Sequence, residues 1–270
     1  MIIDKAGKRV SSNPFLMAGP CVIESRDNVM KIAEYMKTLC DKLGYDYIFK
    51  ASFDKANRTS VSAFRGPGLD EGLKILQEVK EQFNLPLVTD VHESTQAQAV
   101  GEVVDVLQIP AYLCRQTDLL IESGKTGKIV NIKKAQFLSA MDMANVVKKV
   151  ESTGNHQIML TERGNMFGYN NLVVDFRNIL DMKTFGYPVV MDATHSTQKP
   201  GGLGGSSGGN PEYARYFAKC ATVCGADGYF FETHPNPKEG LSDATNMIAL
   251  DDMESILSEL KALYTLTNQH

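Results

Sequence analysis

The chain lacks any apolar run long enough to cross a membrane. Its longest apolar stretches, Phe15–Met17 with Cys21–Ile23 and Tyr229–Phe231, fall far short of the roughly 18 residues that a spanning helix needs. Met1–Pro14 carries no apolar segment of signal-peptide length, which predicts a cytoplasmic protein. Neither charge dominates: 28 Lys+Arg against 32 Asp+Glu gives a net charge of -4. No broad positive field is therefore available for nucleic acid or an anionic membrane, and neither is expected as a partner. Any anion bound here must be held locally. The five cysteines (Cys21, Cys40, Cys114, Cys220 and Cys224) are odd in number and widely spaced, unlike a disulfide framework. They predict reduced thiols, and a reduced thiol can bind metal. No internal repeat is present.

What is present suffices for a large core. Of 270 residues, 43% are hydrophobic and 22% charged, values that exclude disordered, collagen-like and coiled-coil chains. Length alone suggests one or two domains, but a single (β/α)8 barrel takes roughly 250 residues.

Short apolar runs alternate with longer runs of helical spacing. Strands are predicted at Phe15–Gly19, Tyr47–Ser52, Pro86–Val91, Val104–Ile109, Ile129–Ile132, Gln157–Thr161, Pro188–Asp192 and Gly228–Glu232. Helices are predicted at Arg26–Lys42, Leu69–Gln82, Ser94–Val100, Gln116–Glu122, Ala135–Ser152, Val174–Lys183, Pro211–Cys224 and Met253–Leu266. The strands are apolar on both faces, as in a covered parallel sheet. Eight of each element fit one α/β TIM barrel spanning residues 1–270, favoured over an open doubly wound sheet because strand one carries no phosphate-binding glycine fingerprint. The first ten residues read as a small hairpin covering the bottom of the barrel.

In such a barrel the chemistry sits at the C-terminal ends of the strands, and these positions are unusually polar. Lys50, Lys55, Arg58, Lys133 and Arg163 are expected to converge on one mouth, where five cations call for an anionic ligand with more than one phosphate or carboxylate. Asn57, Asp90, His92, Gln108, Glu162 and Asp192 share those ends. A second group, Cys21, His195, Glu232 and Asp243, comes from strands one, seven and eight, which are neighbours in a closed barrel. A thiolate, an imidazole and two carboxylates suit a divalent ion such as zinc or iron(II). Taken singly, Cys21 reads equally as a small buried hydrophobe and His195 as a hydrogen-bonded barrel histidine.

The stretch Gly201–Gly209 holds six glycines in nine residues and cannot be the interior of a helix or strand. It is read as a mobile loop closing over the mouth, with a phosphate cradle or a passive connector as alternatives. Cys220 and Cys224, four apart, read as part of a buried helix face rather than a metal clip.

Several stretches carry a family resemblance. They are Ala18-Gly19-Pro20-Cys21, Phe49-Lys50-Ala51-Ser52-Phe53-Asp54-Lys55-Ala56-Asn57-Arg58-Thr59-Ser60, Thr89-Asp90-Val91-His92-Glu93, Gln108-Ile109-Pro110-Ala111-Tyr112-Leu113-Cys114-Arg115-Gln116-Thr117, Asn131-Ile132-Lys133-Lys134, Thr161-Glu162-Arg163-Gly164, Met191-Asp192-Ala193-Thr194-His195-Ser196 and Glu232-Thr233-His234-Pro235 running on to Ser242-Asp243-Ala244. In this order, over nearly the whole chain, the sequence resembles the 3-deoxy-D-manno-octulosonate 8-phosphate synthases. The resemblance implies a TIM barrel, usually a homotetramer, condensing phosphoenolpyruvate with arabinose 5-phosphate and water and releasing inorganic phosphate. The related synthases that use erythrose 4-phosphate in the shikimate pathway are the alternative. They usually read Lys-Pro-Arg-Thr where this chain has Lys55-Ala56-Asn57-Arg58-Thr59, so Asn57 favours the longer sugar.

The resemblance also implies roles. Lys55, Lys133 and Arg163, with Gln108, are expected to hold phosphoenolpyruvate, with Lys50 near its carboxylate. Asn57, Arg58 and Thr59 are expected at the sugar phosphate, and Asp90 and His195 within the substrate site. Arg115 is expected to reach the sugar phosphate of the adjacent subunit. Lys55, Asn57, His195 and Asp243 are the expected catalytic residues. Metal-independent members have Asn where this chain has Cys21. A carboxamide anchors a soft ion poorly, so Cys21, His195, Glu232 and Asp243 are expected to bind zinc, iron(II), manganese or a similar divalent metal.

Overall fold

A computed structural model describes residues 3–58, 60–200 and 208–267. Eight short runs become parallel strands: β1 (Phe15–Gly19), β2 (Asp46–Lys50), β3 (Leu87–Asp90), β4 (Val106–Ile109), β5 (Ile129–Lys133), β6 (Ile158–Glu162), β7 (Val189–Asp192) and β8 (Gly228–His234). Each pairs with the next, and β1 also pairs with β8, setting Phe15 opposite both Asp46 and Gly228. The sheet is therefore a closed barrel. Eight helices run outside it: α1 (Arg26–Leu43), α2 (Leu69–Phe83), α3 (Ala97–Val103), α4 (Thr117–Lys125), α5 (Met143–Glu151), α6 (Arg177–Lys183), α7 (Ala214–Val223) and α8 (Met253–Thr267).

The strands are apolar on both faces because each face meets a different core. Inside, Phe15, Met17, Ile48, Val88, Val106, Ile129, Met159, Val190 and Phe230 fill the barrel. Outside, Leu16 and Ala18 of β1 belong with Val29, Ile32, Ala33 and Met36 of α1 to the larger cluster between sheet and helices. Each Leu, Val, Ile or Met among them contributes roughly 1.5–3 kcal/mol by its burial. Helix α1 has defined ends: Ser25 Oγ accepts from the backbone N–H of Asn28 at 3.2 Å, and Gly44 closes the helix at φ 71°.

The expected N-terminal hairpin is formed by an antiparallel bridge between Ile3 and Arg9. Ile3 is fully buried and joins the interior cluster. The turn needs Gly7, whose φ is 78° and at which a Cβ would stand 2.1 Å from the carbonyl oxygen of His156.

Two expectations are corrected and one element is added. Helix α5 begins at Met143 rather than Ala135, because Ser139 and Asp142 bond each other's backbone and side chain in a local turn ahead of it. A hairpin of Asn165–Gly168 and Asn171–Val173 follows β6, with Phe167 and Tyr169 almost wholly exposed at its tip. Cys220 is exposed and Cys224 partly so. The buried face of α7 is Ala214, Ala218, Ala221 and Thr222 instead. Among the described residues, no helix is long and apolar enough to cross a membrane.

Candidate active site

The C-terminal ends of the strands surround a cavity of about 270 Å³. Its wall includes Lys55, Asn57, Arg58, Asp90, Lys133, Arg163, His195, Glu232 and Asp243 from the expected set. The backbones beneath it are close. A Cβ on Gly19, the last residue of β1, would lie 2.0 Å from the carbonyl oxygen of Lys50.

Cys21, Glu232 and Asp243 bring one potential ligand atom each to within 4.8 Å of one another. His195 stands against this group, its Nε2 3.6 Å from a carboxylate oxygen of Glu232 and of Asp243. Its other ring nitrogen is committed: Nδ1 lies 2.8 Å from Asp192 Oδ2, and the backbone N–H of His195 donates to Asp192 Oδ1 at 2.9 Å. A carboxylate only accepts, so Nδ1 carries a proton toward Asp192 and Nε2 is the ring nitrogen that faces the group. Asp192 appeared in the sequence only as a strand end. Here it orients the histidine and also receives the Lys133 ammonium at 2.7 Å.

The donor set fits a divalent ion. Glu232 is fully buried, and its Oε2 accepts no hydrogen bond. Burial, followed by the charges of Glu232 and Asp243, pushes the Cys21 thiol up, a cost that a cation at the centre would reverse. Burial opposes the Glu232 charge, but Lys50, His195 and Lys55 outweigh it and hold its pKa at about 2. The loop carrying Asp243 is pinned from two sides. Glu24 Oε1 accepts from the backbone N–H of Leu241 at 2.7 Å, and Arg58 donates to the Leu241 carbonyl and to Ser242 Oγ. Ser242 Oγ in turn lies 3.0 Å from Cys21 Sγ.

The cations divide by what neutralises them. Lys50 does not line the cavity. It is fully buried beneath, donating to Glu232 at 2.7 Å and to the Cys21 carbonyl at 2.8 Å. It stands directly under Glu232. Lys55 lies 3.8 Å from both Asp90 and Glu232, and Lys133 is paired with Asp192. Among the described residues, Arg163 meets no carboxylate in a salt bridge: its Nη2 donates to Gln198 Oε1 at 2.7 Å and to the His195 carbonyl at 3.4 Å, and its buried Nη1 has no partner there. Among the same residues, Arg58 bonds a hydroxyl and a carbonyl. These two guanidiniums hold the charge that an anion would meet.

Two more of the expected residues do not line this chain's cavity. Gln108 is fully buried below the cavity, with both heads of its amide bonded to protein. Arg115 is exposed outside the cavity. Thr59 and residues 201–207, to which the sugar phosphate contact and the closing loop were assigned, lie outside the described residues.

A family model described as the DAHP synthetase I family matches residues 6–269. The chain belongs to this family. A protein named 2-dehydro-3-deoxyphosphooctonate aldolase from Cyanothece sp. is 56% identical over 253 residues, 93% of each chain. Proteins of the same name from Fusobacterium nucleatum (56% identical, covering 90% of this chain and 87% of the relative) and Citrifermentans bemidjiense (54%, covering 94% and 93%) are similar. In this member of the DAHP synthetase I family, sequence reasoning gave no role to several wall residues. His92, Tyr112, Gln136 and Gln198 come from loops without periodicity. Their signal was position just beyond a strand end and, for His92 and Tyr112, membership of stretches that carry the family resemblance.

Proposed function

We propose that the protein condenses phosphoenolpyruvate with arabinose 5-phosphate and water to give 3-deoxy-D-manno-octulosonate 8-phosphate and inorganic phosphate, as one barrel domain in the cytoplasm. One observation carries this reading: the cavity has two cationic ends joined by the donor group. Contacts run from Arg58 through Ser242 to Cys21 and Asp243, then through His195 and Asp192 to Lys133. Two anionic substrates would thus be held with their reacting carbons between them. The name carried by relatives at 54–56% identity supports the octulosonate product over the erythrose 4-phosphate reaction.

Lys133 and Arg163 hold the phosphate of phosphoenolpyruvate, and Lys55, fixed by Asp90 and Glu232, its carboxylate. Asn57 and Arg58, with Thr59, hold the sugar phosphate end. C3 of phosphoenolpyruvate bonds to the aldehyde carbon, whose oxygen takes a proton. Water oxygen bonds to C2, and the C2–O bond to phosphate breaks. Asp243, whose carboxylate keeps a second oxygen when one serves a metal, would receive the proton from that water, with the His195 ring 3.6 Å from it. A divalent metal held by Cys21, His195, Glu232 and Asp243 would supply Lewis-acid polarisation of an oxygen.

The active site is completed by a neighbouring subunit of a homotetramer. Tyr112, Phe137, Met141 and Phe167, all substantially exposed apolar residues, lie on the successive loops after β4, β5 and β6, the sector that also carries Arg115.

The test is phosphate release with each aldose phosphate, before and after chelation and re-addition of manganese or zinc. Activity with arabinose 5-phosphate that disappears on stripping and returns with metal is expected. Activity surviving complete stripping would overturn the metal assignment, and preference for erythrose 4-phosphate the substrate.

A further inference from the structure

Below the cavity, five consecutive strands each contribute one polar side chain at or just beyond their C-terminal half. Thr161 of β6 donates its hydroxyl to Asn131 Oδ1 at 2.7 Å, and Asn131 of β5 donates Nδ2 to Gln108 Oε1 at 2.9 Å. Gln108 of β4 donates Nε2 to Asp90 Oδ1 at 2.7 Å. Ser52, after β2, donates to the other oxygen of Asp90, which also lies 3.8 Å from Lys55 Nζ. Thr161, Asn131, Gln108 and Ser52 are all fully buried.

Every bond in this chain points toward Asp90, and the reason is chemical. Asp90 is ionised: burial opposes the charge, but Lys55, Lys50 and Lys133 hold its carboxyl far below the usual range. A carboxylate can only accept, so Gln108 must turn its nitrogen toward it and its oxygen away. Asn131 must then turn its nitrogen to Gln108, which leaves its oxygen needing a donor, and Thr161 supplies one. Aligned dipoles of this kind strengthen one another. Asn131 and Thr161 do not line the cavity, and an apolar strand has no packing reason to carry such an aligned pair.

We propose that Asn131 and Thr161 are positioning residues for the phosphoenolpyruvate end of the site. They fix Gln108, which fixes Asp90, which holds the ammonium of Lys55 in place for the substrate anion. This rests on the function proposed above.

The test is Thr161→Val, which keeps the shape and removes the donor, beside Thr161→Ser, which restores it. Initial rates are measured with each substrate varied in turn. Wild-type turnover of phosphoenolpyruvate with arabinose 5-phosphate checks the underlying function separately. Its absence would sink that function, whatever the variants do. In Thr161→Val, KM for phosphoenolpyruvate is expected to rise about threefold to thirtyfold, the range in which packed networks couple. KM for the aldose phosphate should stay within twofold, and Thr161→Ser should return to wild type. A loss borne equally by both substrates, an unchanged KM for phosphoenolpyruvate, or failure of the serine variant to restore it would each overturn the proposal. Should the valine variant not fold, Thr161→Ala is read by the same criteria. Should neither donor-free variant fold while the serine variant does, the hydroxyl serves stability and the proposal is wrong.

Discussion

Replacing Asp192 by asparagine probes the most heavily shared side chain of the site. Its Oδ2 receives the Lys133 ammonium at 2.7 Å and the His195 ring at 2.8 Å, while Oδ1 accepts the His195 backbone N–H at 2.9 Å. Asparagine has the same shape but cannot satisfy all three. With its oxygen toward Lys133 and the ring, its amide nitrogen faces a backbone N–H. Turned the other way, the amide nitrogen faces an ammonium and a protonated ring nitrogen. Two charge-assisted bonds fall to ordinary strength, a loss of about 1 kcal/mol each, and one buried donor stays unpaired at about 1–3 kcal/mol. Together this is about 3–5 kcal/mol, and at roughly 1.4 kcal/mol per factor of ten it corresponds to about a hundredfold to several thousandfold in kcat/KM. Phosphate release measures it, with near-UV circular dichroism establishing that the variant is folded. A folded variant within tenfold of wild type would refute the argument that Asp192 orients both partners.

Two further variants probe the supports at either end of the barrel. Glu24→Ala removes the acceptor that pins Leu241, and should weaken metal retention about tenfold to a hundredfold in competition with a chelator, as loss of a supporting hydrogen bond does at other metal sites. Unchanged retention would mean that Arg58 alone holds the loop. Gly7→Ala places a side chain at φ 78° and against the His156 carbonyl. The left-handed conformation alone costs roughly 1–2 kcal/mol, and at about 2–4 °C per kcal/mol for a chain of this size the melting temperature should fall by about 2–8 °C. KM values should not move, because the hairpin lies at the opposite end from the cavity.

The barrel was legible because its strands are short, apolar on both faces and regularly separated by amphipathic runs, and because polar residues gather after each strand. Boundaries were less so. Ala135–Asp142 has helical composition, yet Ser139 and Asp142 bond locally and hold it as a turn. The hairpin after β6 escaped notice because Asn165–Val173 is too short to show a period. Within the site, charge at strand ends found the cations and the donor group, but not which charges cancel. That depends on contacts such as Lys50 with Glu232, made between residues 182 apart. Asn131 did leave a trace, as a lone carboxamide inside the apolar run Ile129–Lys133.

The donor group straddles the seam where the first strand meets the last. Cys21 follows β1, whereas His195, Glu232 and Asp243 come after β7, at β8 and beyond it. On a ribosome, the thiol would therefore wait for more than four-fifths of the chain before its partners emerged. A metal centre built from these four residues could form only on a barrel that has closed, and an ion bound there would fasten the two ends of the sheet together like a clasp. Chelation should accordingly speed the opening of the β1–β8 pair, visible as faster hydrogen exchange at Met17 and Phe230 than at the β4–β5 pair on the far side.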